Sequence, residues 1–111
     1  MADAVLPVLV HWEKIVHDLL GRTRKFPKSV RFTFSNRIDN LALDVYESLI
    51  EAKCSRDKVA ILRRANLKIE KLRLLLRLCH DERFLDRRGF EHALDEAGRM
   101  VGGWLKERSR R

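Results

Sequence analysis

Apolar residues recur at steps of three and four through most of the chain, the spacing that gathers side chains onto one face of a helix. Val8, Trp12, Ile15, Val16 and Leu19 predict a first helix over about Val8–Leu20, with Pro7 where a helix start tolerates proline and Gly21 as the stop. In the connector from Arg22 to Lys28, Pro27 disfavours helix at Phe26, and either Pro27 or Ser29 can open the next helix. The second helix is expected to bury Phe34, Ile38, Leu41, Val45, Leu49 and Ala52. Ser55, followed by Arg56 and Asp57, reads as the N-cap of a third helix over about Arg56–His80.

The third helix has one clear seam, Val59, Leu62, Ala65 or Asn66, Ile69, Leu72, Leu76 and Cys79. Leu67, Leu74, Leu75 and Leu78 carry apolar surface well beyond it, which predicts burial against more than one neighbour and, in so small a bundle, a face shared with another subunit. A fourth helix begins near Asp86 and carries Phe90, Ala93, Leu94, Ala97, Met100, Val101, Trp104 and Leu105. Gly98, Gly102 and Gly103 are expected to interrupt it, and the spacing of Gly98 and Gly102 suggests close approach of another helix. A ligand or partner backbone over Gly102 and Gly103 is the functional alternative. The expected architecture is all-α, an antiparallel four-helix bundle forming one domain over 1–111, with a frayed basic tail at 106–111.

Composition agrees with this and adds a partner. In 111 residues, 45% hydrophobic and 36% charged content with only 5 Gly and 2 Pro excludes disordered, collagenous and turn-rich all-β chains. A formal net charge of +8 predicts a polyanionic partner, either nucleic acid or an acidic membrane surface. No stretch reaches transmembrane length, and the start of the chain has Asp3 where a secretory signal would be positive. The use of cysteine points to a reducing cytoplasm as the location, and no membrane partner is expected. Cys54 and Cys79 form no C-x-x-C pair and suggest neither a zinc site nor a disulfide.

Catalytic chemistry finds little support. Phosphate-cradling loops, zincin motifs and nucleophile elbows are missing, and His11 and His17 stand six apart, a poor spacing for two ligands on one face. Arg73 to His80 and Arg87 to His92 resemble the Arg-x(4–6)-His signature of HEPN-type ribonucleases, which are also small helical bundles. With 16 arginines in the chain, roughly 1.7 such matches arise by chance, so the pair of matches carries little weight. Asp39, Asp44, Glu47, Asp95 and Glu96 are expected to answer cations on neighbouring faces. No catalytic residue, metal site or cofactor is expected, and the chain is read as no enzyme.

Positive charge is clustered. The connector contributes Arg22, Arg24, Lys25 and Lys28, continued by Arg31 and Arg37, and the third helix contributes Arg56, Lys58, Arg63, Arg64, Lys68, Lys71, Arg73 and Arg77. Such faces bind phosphate with strong salt dependence and little sequence discrimination. Phe26 and Phe32 are the only aromatics inside a basic segment, which favours backbone contact over the reading of single strands.

Several segments together resemble a known family: Phe26-Pro-Lys-Ser-Val-Arg-Phe-Thr33, Ile38-Asp-Asn-Leu-Ala-Leu43, Ser55-Arg-Asp-Lys58, Leu62-Arg-Arg-Ala-Asn66, Glu70-Lys-Leu-Arg-Leu-Leu-Leu-Arg-Leu78 and Gly98-Arg-Met-Val-Gly-Gly-Trp-Leu105. The chain resembles the accessory variability determinant (Avd) proteins of diversity-generating retroelements, and four-helix proteins encoded in ribosomal-RNA intervening sequences share much of the pattern. The resemblance implies a four-helix protomer in a basic pentameric barrel that binds RNA and DNA and partners the element's reverse transcriptase during mutagenic cDNA synthesis. It implies contacts through Arg56, Lys58, Arg63, Arg64, Lys71, Arg73, Arg77 and Arg99. An intervening-sequence protein without a polymerase partner is the first alternative and a HEPN-type ribonuclease the second.

Overall fold

Each apolar stripe finds a partner stripe across a shared core. The computed structural model describes residues 5–86 and 88–109, and these form α1 (Val5–Thr23), α2 (Asn36–Cys54), α3 (Lys58–Asp81) and α4 (Arg88–Ser109). A 3-10 turn, Lys28–Val30, and a π-helical turn, Arg31–Ser35, lead into α2, and no strand occurs among the described residues. Successive helices double back on one another. Thr23 Oγ1 donates to Asp39 Oδ1 at 2.7 Å between α1 and α2, Lys68 lies 3.9 Å from Asp44 between α3 and α2, and Arg73 pairs with Asp95 between α3 and α4.

The core runs the length of the bundle through Trp12, Leu19, Ile38, Val45, Leu49, Leu62, Leu72, Leu76, Phe90 and Val101, all nearly or wholly withdrawn from solvent. Burying side chains of this size is worth about 1.5–3 kcal/mol each, which the cost of ordering the chain largely offsets. Trp12 carries the one polar atom of its ring into this core and donates its Nε1 hydrogen to the Ala42 carbonyl at 2.8 Å.

At one end three phenylalanines fasten two connectors together. The Phe84 ring lies 5.9 Å from that of Phe26 and 5.7 Å from that of Phe34. Phe84 arrives there because α3 ends in a left-handed turn: Arg83 takes φ 67°, its N–H bonds the His80 carbonyl at 3.0 Å, and the Phe84 N–H reaches back to Cys79 at 2.9 Å. Arginine holds a position that usually goes to glycine, so the sequence gives no warning of the motif.

Several expectations need correction. Gly21 does not stop α1, which continues to Thr23 and leaves by turns bonding Lys25 to Arg22 and Phe26 to Thr23. Ser55 is not the cap of α3: it accepts the Asp57 N–H at 3.2 Å within a tight turn, and the helix starts at Lys58. Ile61 and Ala65 join the buried seam, whereas Val59 and Asn66 are half-buried. Leu75 packs partly against the protomer's own core. Gly98, Gly102 and Gly103 do not interrupt α4, and a methyl group added at any of them would meet no other part of the protomer within 4 Å, so no close helix contact explains them. Lys106–Ser109 continue α4, and Arg110 and Arg111 lie outside the described residues.

Candidate nucleic-acid interface

The cations fall into two groups at different places on the bundle. The first occupies the phenylalanine-fastened end. Between Leu19 and Ile38 the chain has six Lys or Arg (Arg22, Arg24, Lys25, Lys28, Arg31 and Arg37) and no Asp or Glu. All six are exposed. Arg22 is engaged, 3.6 Å from Asp18 and stacked 5.1 Å above the centre of the Phe90 ring. The other five make no ion pair among the described residues, so their charge is open to an external anion. Arg24 and Arg31 border a hollow of about 250 Å³ whose wall includes Thr23, Ser35, Asn36 and Asp39. Thr23 and Ser35 are buried polar residues, so hydroxyl groups back this hollow.

The second group, on α3, is divided by its partners. Lys58 donates to the carbonyls of Ala52 at 2.5 Å and Lys53 at 3.2 Å and thereby closes the last turn of α2. Its ammonium also lies 6.0 Å from the centre of the Trp104 ring. Lys68 pairs with Asp44, and Arg73 with Asp95 and Glu70. These three serve the bundle. Arg56, Arg63, Arg64, Lys71 and Arg77, with Arg99 of α4, are exposed and make no ion pair among the described residues.

Helical geometry puts the free α3 cations beside the surplus leucines. At about 100° per residue, Leu67, Leu74 and Leu78 fall within about 40° of one another, opposite the buried seam, and Arg63, Arg64, Lys71 and Arg77 flank them, with Glu70 between Arg63 and Arg77 and Arg56 in the turn before the helix. The three leucines are 56%, 52% and 50% exposed. Next to this stripe a groove between α3 and α4 has hollows of about 300 and 550 Å³, with Arg63, Arg99 and the bare backbone of Gly98 on its walls. The outer face of α2 is its counterpart in charge: Leu43 and Ile50, each 40% exposed, stand seven residues apart with exposed Glu47 between them and Glu51 alongside.

The remaining titratable groups have local duties. His11 Nε2 donates to the Ala93 carbonyl at 2.8 Å, tying α1 to α4. His80 lies 3.8 Å from Asp86, whose carboxylate is clasped by the Arg88 side chain and backbone N–H and held well below the usual carboxylate range. His92 is exposed, 3.8 Å from Glu96. Of the two Arg–His matches, Arg73 is committed to Asp95, and Arg87 lies outside the described residues. Cys54 is an exposed free thiol, and burial pushes the Cys79 thiol up to about 11. Among the described residues no three His, Cys, Asp or Glu side chains are grouped to hold a metal ion, and no helix is long and apolar enough to cross a membrane.

A four-helix protein with one cation-rich end and one leucine–arginine helix face is the class that these features define. Its sequence is more specific: residues 8–108 match the family model described as bAvd-like, and the chain belongs to that family. No curated protein and no solved structure matches it.

Proposed function

We propose that this protein is a non-catalytic, nucleic-acid-binding accessory subunit of the reverse transcriptase of a diversity-generating retroelement, acting as a closed ring of identical copies, a pentamer by its resemblance to Avd. The observation that carries the binding role is the basic end: six exposed cations without an intervening carboxylate, five of them unpaired among the described residues. Family membership over residues 8–108 supports the retroelement setting. The polymerase supplies the chemistry, and this chain supplies a phosphate-binding surface that holds RNA and cDNA near it.

Assembly uses the outer faces of α3 and α2. The Leu67, Leu74 and Leu78 stripe with its flanking arginines complements the Leu43, Ile50, Glu47 and Glu51 face of a second copy in apolar character and in the sign of its charge. Because the two patches differ, the contact is heterologous, and repeating it closes a ring. Cyclic symmetry then turns every basic end to the same side of the ring, so weak phosphate contacts add through avidity. On this reading the free α3 cations face Glu47 and Glu51 of the neighbour, and the main nucleic-acid contacts are those of Arg24, Lys25, Lys28, Arg31 and Arg37.

The test is a pull-down with the reverse transcriptase encoded beside this chain, followed by primer extension on the element's RNA. The protein should bind the polymerase and raise cDNA yield while making none alone. Folded protein that neither binds the polymerase nor changes its product would leave the intervening-sequence bundle as the better account.

A further inference from the structure

We infer that the basic end accepts an unpaired stretch of nucleic acid, with one base stacked on Phe32 and the adjoining phosphates held by Lys28, Arg31 and their neighbours. The inference rests on the nucleic-acid reading above and adds the state of the strand. Three phenylalanines lie in the segment that enters α2, and the fold treats them differently. Phe26 is buried and Phe34 packs on Phe84, whereas Phe32 is 79% exposed, more than any other large apolar side chain described. Its placement follows from the π-helical turn Arg31–Ser35, which directs Phe34 inward and leaves Phe32 on the outer side beside Arg31 and Thr33, both exposed.

The surroundings decide the occupant. An exposed leucine stripe lies on α3, whereas along its own segment Phe32 stands alone: it is the only large exposed apolar residue described between Val10 and Leu43 in the sequence. A subunit contact or a lipid surface would need a broader apolar patch. A lone ring among five unpaired cations instead matches a base with its flanking phosphates, because stacking needs one flat face and the backbone needs positive charge on either side. In a duplex both faces of each base are covered by neighbouring bases, so the ring can be used only by a single strand, loop or frayed end. The hollow beside Arg24 and Arg31 is lined by Ser35, Asn36 and the Asp39 carboxylate that the Thr23 hydroxyl already engages, so it offers polar groups to a base rather than a second seat for phosphate.

The experiment compares wild type, Phe32→Ala and Phe32→Trp for binding to oligothymidylate, to a DNA duplex and to phosphatidylserine vesicles. Phe32→Ala should lose roughly tenfold in affinity for oligothymidylate and stay within about twofold on the duplex. Phe32→Trp should keep the single-strand affinity, and its added emission should be quenched by oligothymidylate, since Trp12 and Trp104 are both buried. Equal binding of oligothymidylate by wild type and Phe32→Ala overturns the inference while leaving phosphate binding in place. A Phe32→Trp signal with vesicles but not with oligothymidylate also overturns it. Wild-type protein that binds neither nucleic acid overturns the proposed function together with this inference.

Discussion

Lys58 Nζ donates to the Ala52 carbonyl at 2.5 Å, so a cation that sequence reading assigns to nucleic acid terminates the preceding helix instead. Its partners are carbonyls left unsatisfied at the end of α2, and a protonated amine suits the negative end of a helix dipole. Lys58→Met should therefore destabilise the protein by about 1 kcal/mol in urea denaturation, with nucleic-acid affinity unchanged. Unaltered stability with lost affinity would return Lys58 to the binding surface.

Leu74 and Glu47 are assigned to opposite sides of the same subunit contact. Light scattering on wild type should give a mass several times 13.1 kDa. Leu74→Asp should dissociate the assembly by placing an unpaired charge in an apolar contact, and Glu47→Arg with Glu51→Arg should do so by setting like charges against one another. Helical content should survive in both variants, since these side chains are exposed in the protomer.

Gly103 is an exposed helical residue with open space where a methyl group would go. Gly103→Ala should raise stability by about 0.5–1 kcal/mol by removing backbone freedom from the unfolded chain. A loss of stability in the dissociated Leu74→Asp background would show that the helix needs glycine there for its own fold. A loss confined to the assembled protein would place a neighbour's backbone over Gly103.

Cys79 and Cys54 should separate cleanly in thiol chemistry. Exposed Cys54 should react with a disulfide reagent in the native protein at neutral pH, while buried Cys79 should wait for unfolding. Burial raises the Cys79 thiol from 9.0 to about 11, so its contribution to stability is complete below pH 9 and is lost as the pH rises from 9 towards 11, where the unfolded thiol ionises first. Cys79→Ala should flatten that alkaline decline.

Much of this architecture is legible in the sequence because four amphipathic stripes leave little choice of fold. Trp12, Ile38, Leu62 and Phe90 all lie where the three-four spacing puts them. Features without a periodic or compositional signal stay hidden. The left-handed turn at Arg83 has no glycine, and Gly21 sits inside a helix that runs on to Thr23. The basic site is only partly legible. Counting charges finds the cations, but Lys58, Lys68 and Arg73 have partners on other helices that no local spacing reveals. Likewise Phe26 and Phe32 read alike in the sequence, as the two aromatics of a basic segment, and only the structure tells the buried ring from the exposed one.

The central claim is that the cation-rich end formed by Arg24, Lys25, Lys28, Arg31 and Arg37 binds nucleic acid through phosphates, and the most direct measurement is the salt dependence of affinity between 50 and 200 mM. Wild type should weaken by orders of magnitude over that range, as roughly 6–10 phosphate contacts require. Replacing Arg24, Lys28 and Arg37 together by Ala should lower the slope of log affinity against log salt by about 2–3 while leaving the fold and the oligomer intact. An affinity insensitive to salt, or a slope that the triple replacement leaves unchanged, would contradict the account.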